Sequence, residues 1–409
     1  MLETLTTNEV ALTFLALFLL LFSAFIGGKL FEFIKAPKVV GEIVGGMVLG
    51  GSCVGLLLPE FTQTVFNGFA EEGKVLNVFY QLGLVFLMFS SGYNTTISIN
   101  KKNAKNYILL FIGATVIPML LGIPFVSLFK NAFIGTANNT ISFAIVFLIS
   151  AAITSIPVIS KIFFDIDMMN SKFSNMVLTV STLQDLCLWI LLNLSISLVE
   201  TGEFNIVTLL TTTGITIALL AIAKLIEWFV KNKNIVISRD ALPMSFLVLF
   251  IIIYLLSKLN VNIMYSAFIG GYVMKALLPE NDKNIAKIKD FSFAFFIPVY
   301  FALVGIQLDV IHNFSFLRFL FFFIIVFGLE FIGTVGVMIF TKLKKKTVLS
   351  LGITMNARGG PGIVLATTAF AYNIINIEFF TVLIITTMLS SMIAGYWLRY
   401  FKKDIENDG

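Results

Sequence analysis

The stretch TVSTLQDLCLWILLNLSISL, residues 179–198, is apolar except for hydroxyl and amide groups and one acid, Asp185. Its neighbours one helical turn away, Ser181 and Trp189, offer no positive charge to neutralise that acid. Two further ionisable residues, Glu330 and Arg358, also lie inside long apolar runs. A charge near the centre of a bilayer costs about 2.5–3.5 kcal/mol on insertion scales, so such residues usually face a protein interior or a water-filled cavity. These three residues are therefore the candidates for binding an ion or forming a buried ion pair.

The elements that carry these residues are predicted to be membrane spans. Of the 409 residues, 58% are hydrophobic and only 12% are charged, whereas soluble domains have roughly 25% charged residues. The chain is long enough for a large soluble core but lacks the charge to cover one. No basic residue precedes the first apolar run, so we expect a span there and not a cleaved signal peptide. The sequence predicts an all-α polytopic membrane protein.

Apolar runs of roughly 20 residues predict about thirteen spans. They lie at 9–28, 39–58, 76–93, 107–129, 141–164, 173–199, 206–229, 242–257, 261–278, 291–311, 315–341, 347–372 and 377–399. With this assignment, 23 of the 28 lysines and arginines fall in connections on one side of the membrane, and four fall on the other. Basic connections stay in the cytoplasm. We therefore expect the N-terminus outside the plasma membrane and the C-terminus in the cytoplasm.

The same charge pattern excludes several classes of function. The basic excess is a signal of topology, so we expect no nucleic-acid partner. The sequence has no GxGxxG fingerprint, and its single histidine rules out an HExxH metal site. We expect no enzyme activity, no cofactor, and no metal beyond a transported monovalent cation.

Two spans carry helix-breaking residues at mid-depth, because proline removes a backbone hydrogen bond and glycine loosens a helix. The fifth span has Pro157, and the twelfth has Gly359, Gly360 and Pro361. Each is the middle member of a three-span group. Matching interruptions in two halves are typical of inverted repeats with an ion site near the midplane. Asp185 lies on the span that follows the first break.

Six stretches together resemble a known family, the monovalent cation:proton antiporters, especially its Kef-type potassium efflux branch. They are APKVVGEIVGGMVLGGS (36–52), TSIPVISKIF (154–163), LQDLCLWILL (183–192), SAFIGGYVM (266–274), VYFALVGIQLD (299–309) and NARGGPGIVLA (356–366). The resemblance implies the sodium/proton antiporter fold with two broken, crossing helices. It also implies a homodimer. Residues 107–200 and 315–401 would form the moving core bundle, and 1–93 and 206–311 the scaffold and dimer contact.

The resemblance also assigns roles to residues. The acid that matches Asp185 binds cation and proton in turn, and Gln184 beside it is typical of Kef-like members, which favours potassium over sodium. Many relatives carry a lysine where this chain has Glu330, so stoichiometry and electrogenicity do not follow from the family. Kef-type relatives usually end in a nucleotide-binding domain, and we expect no soluble C-terminal domain here.

The leading hypothesis is secondary antiport of a monovalent cation, K⁺ or Na⁺, against protons by alternating access. Asp185 would carry the exchanged ion, and Thr154, Ser155 and Gln184 would supply neutral oxygens. The alternatives are a channel-like or sensory protein of the same fold, and a carrier of an organic or anionic solute with Arg358 as counter-ion.

The remaining ionisable residues and the two cysteines suggest less specific roles. We expect Glu330 and Arg358 to pair, although Arg358 could instead face Asp185. Glu42 is near a span end, where solvation at the membrane surface explains a charge. Cys53 and Cys187 are expected to be core packing residues.

Overall fold

The computed structural model describes residues 4–94, 104–169, 171–202, 241–259, 261–277 and 283–406, with a few residues between 213 and 232. The helices up to residue 202 are α1 (Thr7–Phe33), α2 (Lys38–Leu49), α3 (Val54–Leu57), α4 (Pro59–Phe66), α5 (Glu72–Asn94), α6 (Ala104–Phe111), α7 (Ile117–Phe133), α8 (Thr140–Ser150), α9 (Ile156–Asp165) and α10 (Lys172–Thr201). After residue 240 they are α11 (Ala241–Ser257), α12 (Ile263–Leu277), α13 (Lys283–Phe291), α14 (Ile297–Ile306), α15 (Phe316–Met338), α16 (Lys345–Met355), α17 (Gly359–Ala371) and α18 (Ile377–Glu406).

Two long helices contain a π-helical turn, at Ile112–Val116 between α6 and α7 and at Ser292–Phe296 between α13 and α14. A proline follows each turn in the next helix, Pro118 and Pro298. Proline cannot donate a backbone hydrogen bond, and π-turns inside helices are frequent at functional sites. In the described residues the only extended pairing is an isolated antiparallel bridge between Ile134 and Ile375.

These helices agree with the predicted spans. Among the described residues, eight helical segments are long and apolar enough to cross a membrane: α1, α5, α10, α15 and α18, and the continuous segments Lys38–Leu57, Ala104–Phe133 and Ala286–Ile306. Three shorter apolar helices, Thr140–Ser150, Leu242–Ser257 and Ile263–Leu277, fall in predicted spans 5, 8 and 9. Spans 5 and 12 are each divided into two helices. The predicted seventh span, 206–229, lies largely outside the described residues. The all-α polytopic architecture is confirmed.

The chain forms two compact units. The first comprises Met1–Asn94 and Leu219–Asn313, and the second comprises Thr95–Ala218 and Phe314–Gly409. Whether these units act as scaffold and moving core stays a prediction.

Within the first unit, glycine allows α1 and α2 to cross closely. A Cβ at Gly27 would lie 2.1 Å from the carbonyl oxygen of Gly41, so only glycine fits at this crossing. The N-terminus of α1 is closed by a capping box. Thr6 N–H donates to Glu9 Oε2 at 2.7 Å, and Glu9 N–H donates to the Thr6 hydroxyl.

The second unit, which contains Asp185, is held by two apolar clusters. One cluster combines side chains of α6, α9, α10, α16 and α18. The other is aromatic, and the centroids of its neighbouring rings lie 4.6–6.3 Å apart: Phe129, Phe133, Phe147, Phe322 and Phe379. Aromatic pairs at such distances stabilise beyond their buried area. These two clusters contribute to the apolar core of the second unit.

Two expectations about single residues were wrong. Glu42 is only 4% exposed and pairs with Lys38 at 3.2 Å one turn earlier, so an ion pair satisfies it and not bulk solvent. Cys187 is exposed and Cys53 is partly exposed. Cys187 follows Asp185 by two positions, which places it on nearly the opposite face of α10.

Candidate functional site

Spans 5 and 12 meet at their breaks within the second unit. Helix α8 ends at Ser150 and α9 begins at Ile156, while α16 ends at Met355 and α17 begins at Gly359. The two interruptions bond directly, since Ser155 N–H donates to the Ala357 carbonyl at 2.6 Å. Helix ends leave backbone groups unpaired, and in a membrane those groups must be satisfied inside the protein. Each break therefore supplies partners to the other.

The first break lies slightly before the residue predicted to cause it. Residues 151–155 are non-helical, and Pro157 is within the first turn of α9, where its missing N–H is not needed. Ser155 caps this helix, since its hydroxyl accepts from Val158 N–H at 3.4 Å. The Thr154 hydroxyl donates to the Met355 carbonyl at 2.6 Å. Both side chains therefore help to build the junction between the breaks.

The second break also precedes its glycines and proline. Residues 356–358 are non-helical, and Gly359, Gly360 and Pro361 form the first turn of α17. Gly359 has φ +38°, and a Cβ there would lie 2.4 Å from the Ser155 hydroxyl oxygen. Only glycine is compatible with both conditions. Gly359 N–H donates to the Ser391 hydroxyl at 3.0 Å, so α18 also holds this turn.

Glu330 and Arg358 form the expected ion pair, with Arg358 Nη2 at 3.0 Å from Glu330 Oε2. Both are fully buried, at 0% and 2% exposure. The guanidinium also donates to main-chain carbonyls, from Nε to Ser150 at 2.9 Å and from Nη2 to Val326 at 3.2 Å. One side chain thus joins the end of α8, helix α15 and the second break. A buried ion pair with its remaining donors satisfied resists disruption, because loss of one partner leaves an unpaired charge.

Asp185 has the opposite environment. Its side chain is 1% exposed, and in the part of the chain that the structure describes neither carboxylate oxygen has a hydrogen-bond partner. A buried carboxylate without donors is costly, so the fold does not gain stability from this acid. The carboxylate is available for a ligand.

Gln184 connects Asp185 to the first break. Its amide nitrogen donates to two carbonyls, Ala114 at 3.0 Å in the π-turn and Ala152 in the break. These two bonds fix the orientation of the amide group, because a flipped amide would bring its oxygen against two carbonyl oxygens. The remaining atom, Gln184 Oε1, is buried and has no partner among the described residues. It is an oriented acceptor.

Three further buried oxygens were not among the predicted site residues. Asn356 in the second break donates from its amide nitrogen to the Gly352 carbonyl at 2.9 Å, and its Oδ1 has no partner within the described part of the chain. The hydroxyls of Thr115 in the π-turn and Ser181 on α10 also lack partners in the described residues. Carbonyl and carboxylate oxygens can replace the hydration shell of a cation. No group of three or more His, Cys, Asp or Glu side chains is placed to hold a metal ion within the described residues.

Comparison with known proteins shows the family of this chain. The family model for the transmembrane region of sodium/hydrogen exchangers matches residues 18–402. This chain belongs to the sodium/hydrogen exchanger family.

Curated relatives are similar to this chain over nearly its whole length. K(+)/H(+) antiporter 1 of Saccharomyces cerevisiae is 25% identical over 93% of this chain and 45% of that protein. Cation/H(+) antiporter 19 of Arabidopsis thaliana is 25% identical over 88% of this chain and 46% of that protein. The chain therefore spans about half the length of these two relatives. Na(+)/H(+) antiporter NhaS4 of Synechocystis is 25% identical over 95% of this chain and 97% of that protein.

The fold of this chain resembles a solved one. The structure of the sodium proton antiporter MjNhaP1 from Methanocaldococcus jannaschii superposes with a TM-score of 0.65 at 16% identity, over 98% of this chain and 99% of that one. The predicted antiporter fold is confirmed.

Proposed function

We propose that this exchanger transports a monovalent alkali cation, K⁺ or Na⁺, in exchange for protons, with Asp185 as the single group that carries both. The observation that carries the proposal is a carboxylate that is 1% exposed and has no partner in the described residues. An acid at such depth is usually functional. Two of the relatives described above, a K(+)/H(+) antiporter and an Na(+)/H(+) antiporter, support the same activity.

The exchange follows from the chemistry of one carboxylate. The ionised form of Asp185 attracts a dehydrated cation, and Gln184 Oε1 supports it as a neutral ligand. A proton that binds a carboxylate oxygen removes the negative charge, and the cation leaves. Occupancy by one excludes the other, so movement of the two ions is coupled. Alternating access opens this site first to one side of the membrane and then to the other.

Thr154 and Ser155 have a second role in this proposal. Their hydroxyls are engaged at the junction of the breaks, with Met355 O and Val158 N–H. We assign them to holding the first break open near Gln184. Their oxygens can also bind the cation: the Thr154 hydroxyl donates its bond and keeps its lone pairs, and the Ser155 oxygen has a second lone pair beside the one that accepts from Val158 N–H.

The state of Arg358 argues against an anion carrier. Its guanidinium is 2% exposed and binds Glu330 and main-chain carbonyls. A solute anion would have to displace a buried carboxylate to reach it, which is costly. We therefore place Arg358 and Glu330 in the framework of the site.

The remaining parts of the proposal concern assembly and orientation. Residues 107–200 and 315–401 act as the moving core, and 1–93 and 206–311 as scaffold and contact of a homodimer. The protein lies in the plasma membrane with its N-terminus outside and its C-terminus in the cytoplasm. The distribution of basic residues supports this orientation.

Reconstituted vesicles test the activity. The purified protein is placed in vesicles that contain a pH-sensitive dye, and a gradient of Na⁺, K⁺, Rb⁺ or Li⁺ is imposed. An antiporter converts the cation gradient into a change of internal pH. Asp185→Asn should abolish this change, because the amide cannot titrate. Asp404→Asn is the matched control, since Asp404 is an exposed acid paired with Lys346.

Three results would contradict the proposal. A channel would let the cation pass without coupled proton movement, and an anion carrier would respond to the anion present and not to the cation. Exchange at the wild-type rate in Asp185→Asn vesicles would show that another group carries the ion.

A further inference from the structure

Three polar side chains on one face of α10 have no hydrogen-bond partner in the described part of the chain. Ser181 is one helical turn before Asp185, and Trp189 is one turn after it. Their side chains are 0%, 1% and 4% exposed in chain order. Within the described residues, the Ser181 hydroxyl, the Trp189 indole nitrogen and both Asp185 oxygens all lack hydrogen-bond partners. Donors and an acceptor are therefore neighbours on one face without bonding to one another.

The serine differs from other hydroxyls in this unit. Hydroxyls in helices commonly donate to the carbonyl four residues earlier. Thr354 does so to Ser350 at 2.6 Å, and Ser391 does so to Thr387 at 2.8 Å. Ser181 makes no such bond. Its hydrogen remains available for another acceptor.

The tryptophan differs in the same way. The indole N–H of Trp397, in the same unit, donates to the Ser350 hydroxyl at 3.0 Å. The Trp189 N–H has no acceptor in the described residues, although an indole nitrogen can only donate. A buried donor that is never satisfied destabilises the fold. Trp189 is therefore expected to find its acceptor in another state of the protein.

We propose that Ser181 and Trp189 are positioning residues that donate hydrogen bonds to the ionised Asp185 carboxylate while it holds neither cation nor proton. The inference rests on the proposed antiport. A single carboxylate that exchanges two ligands must pass through this unoccupied, charged state. Without donors, that state is the most costly of the cycle in a membrane interior.

Helix geometry makes these bonds accessible. Side chains on a helix lean towards its N-terminus, so Asp185 leans towards Ser181, and the Trp189 ring lies over the turn that contains Asp185. A change between staggered rotamers is enough to alter which neighbour the carboxylate meets. The donors act when the site is unoccupied, whereas acceptors such as Gln184 Oε1 act when the cation is bound.

The kinetic test removes one N–H and keeps the ring. In Trp189→Phe vesicles the unoccupied carboxylate loses a donor, so the cation binds more tightly and leaves more slowly. We expect the cation KM and kcat both to fall, by about tenfold, the value of one hydrogen bond to a charged group. The measurement is made at alkaline pH, where protons compete little for the site.

A structural defect would give a different result. Fewer active molecules lower the measured kcat and leave KM unchanged. Trp397→Phe is the matched control, because it removes an indole N–H that already has a partner, and we expect no change of KM. Ser181→Ala should lower KM in the same direction as Trp189→Phe. An unchanged or raised KM in Trp189→Phe would overturn the proposal.

Fluorescence gives a second readout. The chain has three tryptophans, so Trp228→Phe with Trp397→Phe leaves Trp189 as the only one. Its emission should shift when the transported cation is added, and the shift should disappear when Asp185→Asn is introduced. A shift that persists with Asp185→Asn, or exchange by the single-tryptophan protein without any shift, contradicts the inference. Failure of the antiport itself is seen separately, as absence of exchange in wild-type vesicles.

Discussion

Two buried acids of the second unit, Glu330 and Asp185, share their depth and differ in their surroundings. Glu330 is bound by Arg358 at 3.0 Å, and its other oxygen is 3.4 Å from the Thr154 hydroxyl. Asp185 has no partner for either oxygen in the described residues. Both side chains are at most 1% exposed. Burial alone therefore does not indicate the role of a charge.

The difference supports a structural role for Glu330 and the proposed ion-binding role for Asp185. Arg358 reaches the end of α8 through the Ser150 carbonyl and α15 through Val326 and Glu330. The paired acid thus belongs to a framework that connects the breaks. The unpaired acid lies on α10, next to Gln184, which itself bonds to the first break. A charged side chain with a structural role is held in place by its partners. A carboxylate that exchanges a cation for a proton must be able to change partners.

The largest expected difference is between the effects of neutralising Asp185 and of neutralising Glu330 on exchange and on thermal stability. Asp185→Asn should abolish cation-driven proton movement and leave the melting temperature unchanged or raised, because a costly unpartnered group is removed. Glu330→Gln should lower the melting temperature, because Arg358 loses its partner. Thermal unfolding in detergent, beside vesicle exchange, measures both. Equal destabilisation by the two substitutions would remove the distinction between the sites.

The framework role of Arg358 predicts the next largest effect. Arg358→Gln should destabilise the protein by about 3–5 kcal/mol, the cost of breaking a buried pair. Arg318→Gln is the control, since Arg318 is 54% exposed and its pair with Glu378 should contribute only about 0–1 kcal/mol. The double variant Glu330→Gln/Arg358→Gln should lose less than the sum of the single losses. Additive losses would show that the two residues are not coupled.

A substitution at the second helix break should reduce the stability of the protein by a smaller amount. Gly359→Ala should destabilise by about 1–3 kcal/mol, because its φ of +38° and the Ser155 side chain both exclude a Cβ. Gly336→Ala is a matched control on α15, where a Cβ meets nothing within 4 Å, and alanine should stabilise that helix slightly. Unfolding in denaturant compares the two variants. A neutral Gly359→Ala would mean that the contact between the breaks tolerates expansion.

The spans were predictable because each feature depends on residues close in the chain. Apolar runs predicted the positions of the helices. The helix-breaking residues Gly359, Gly360 and Pro361 predicted that the twelfth span is interrupted. Asp185, Glu330 and Arg358 stood out because each is an ionisable residue in an apolar run. They could therefore be recognised as candidates without knowledge of the fold.

The pattern of hydrogen bonds was not predictable, because it joins residues far apart in the sequence. Nothing in the sequence shows that Thr154 donates to Met355, or that the Gln184 amide nitrogen is held by Ala114 and Ala152. Asn356 lies in the stretch NARGGPGIVLA but was not among the predicted site residues. It is uncharged, so it lacks the high cost of membrane insertion that distinguishes an ionisable residue in an apolar run. Only the structure reveals that its amide nitrogen donates to the Gly352 carbonyl and that its oxygen has no partner among the described residues.

The smallest predicted effect is that of replacing Asn356. It distinguishes a residue that binds the cation together with Asp185 from one that only stabilises the junction of the breaks. If its free oxygen contacts the cation, Asn356→Ala should raise the cation KM about fivefold, which corresponds to about 1 kcal/mol, with kcat nearly unchanged. Asn376→Ala is the matched control, because that amide uses both ends, donating to Ala132 O at 2.7 Å and accepting from Phe379 N–H at 2.9 Å. Both variants should lose similar stability, but only Asn356→Ala should change KM. An unchanged KM would place Asn356 in the framework, and Asp185 and Gln184 would then bind the cation without a ligand from the second break.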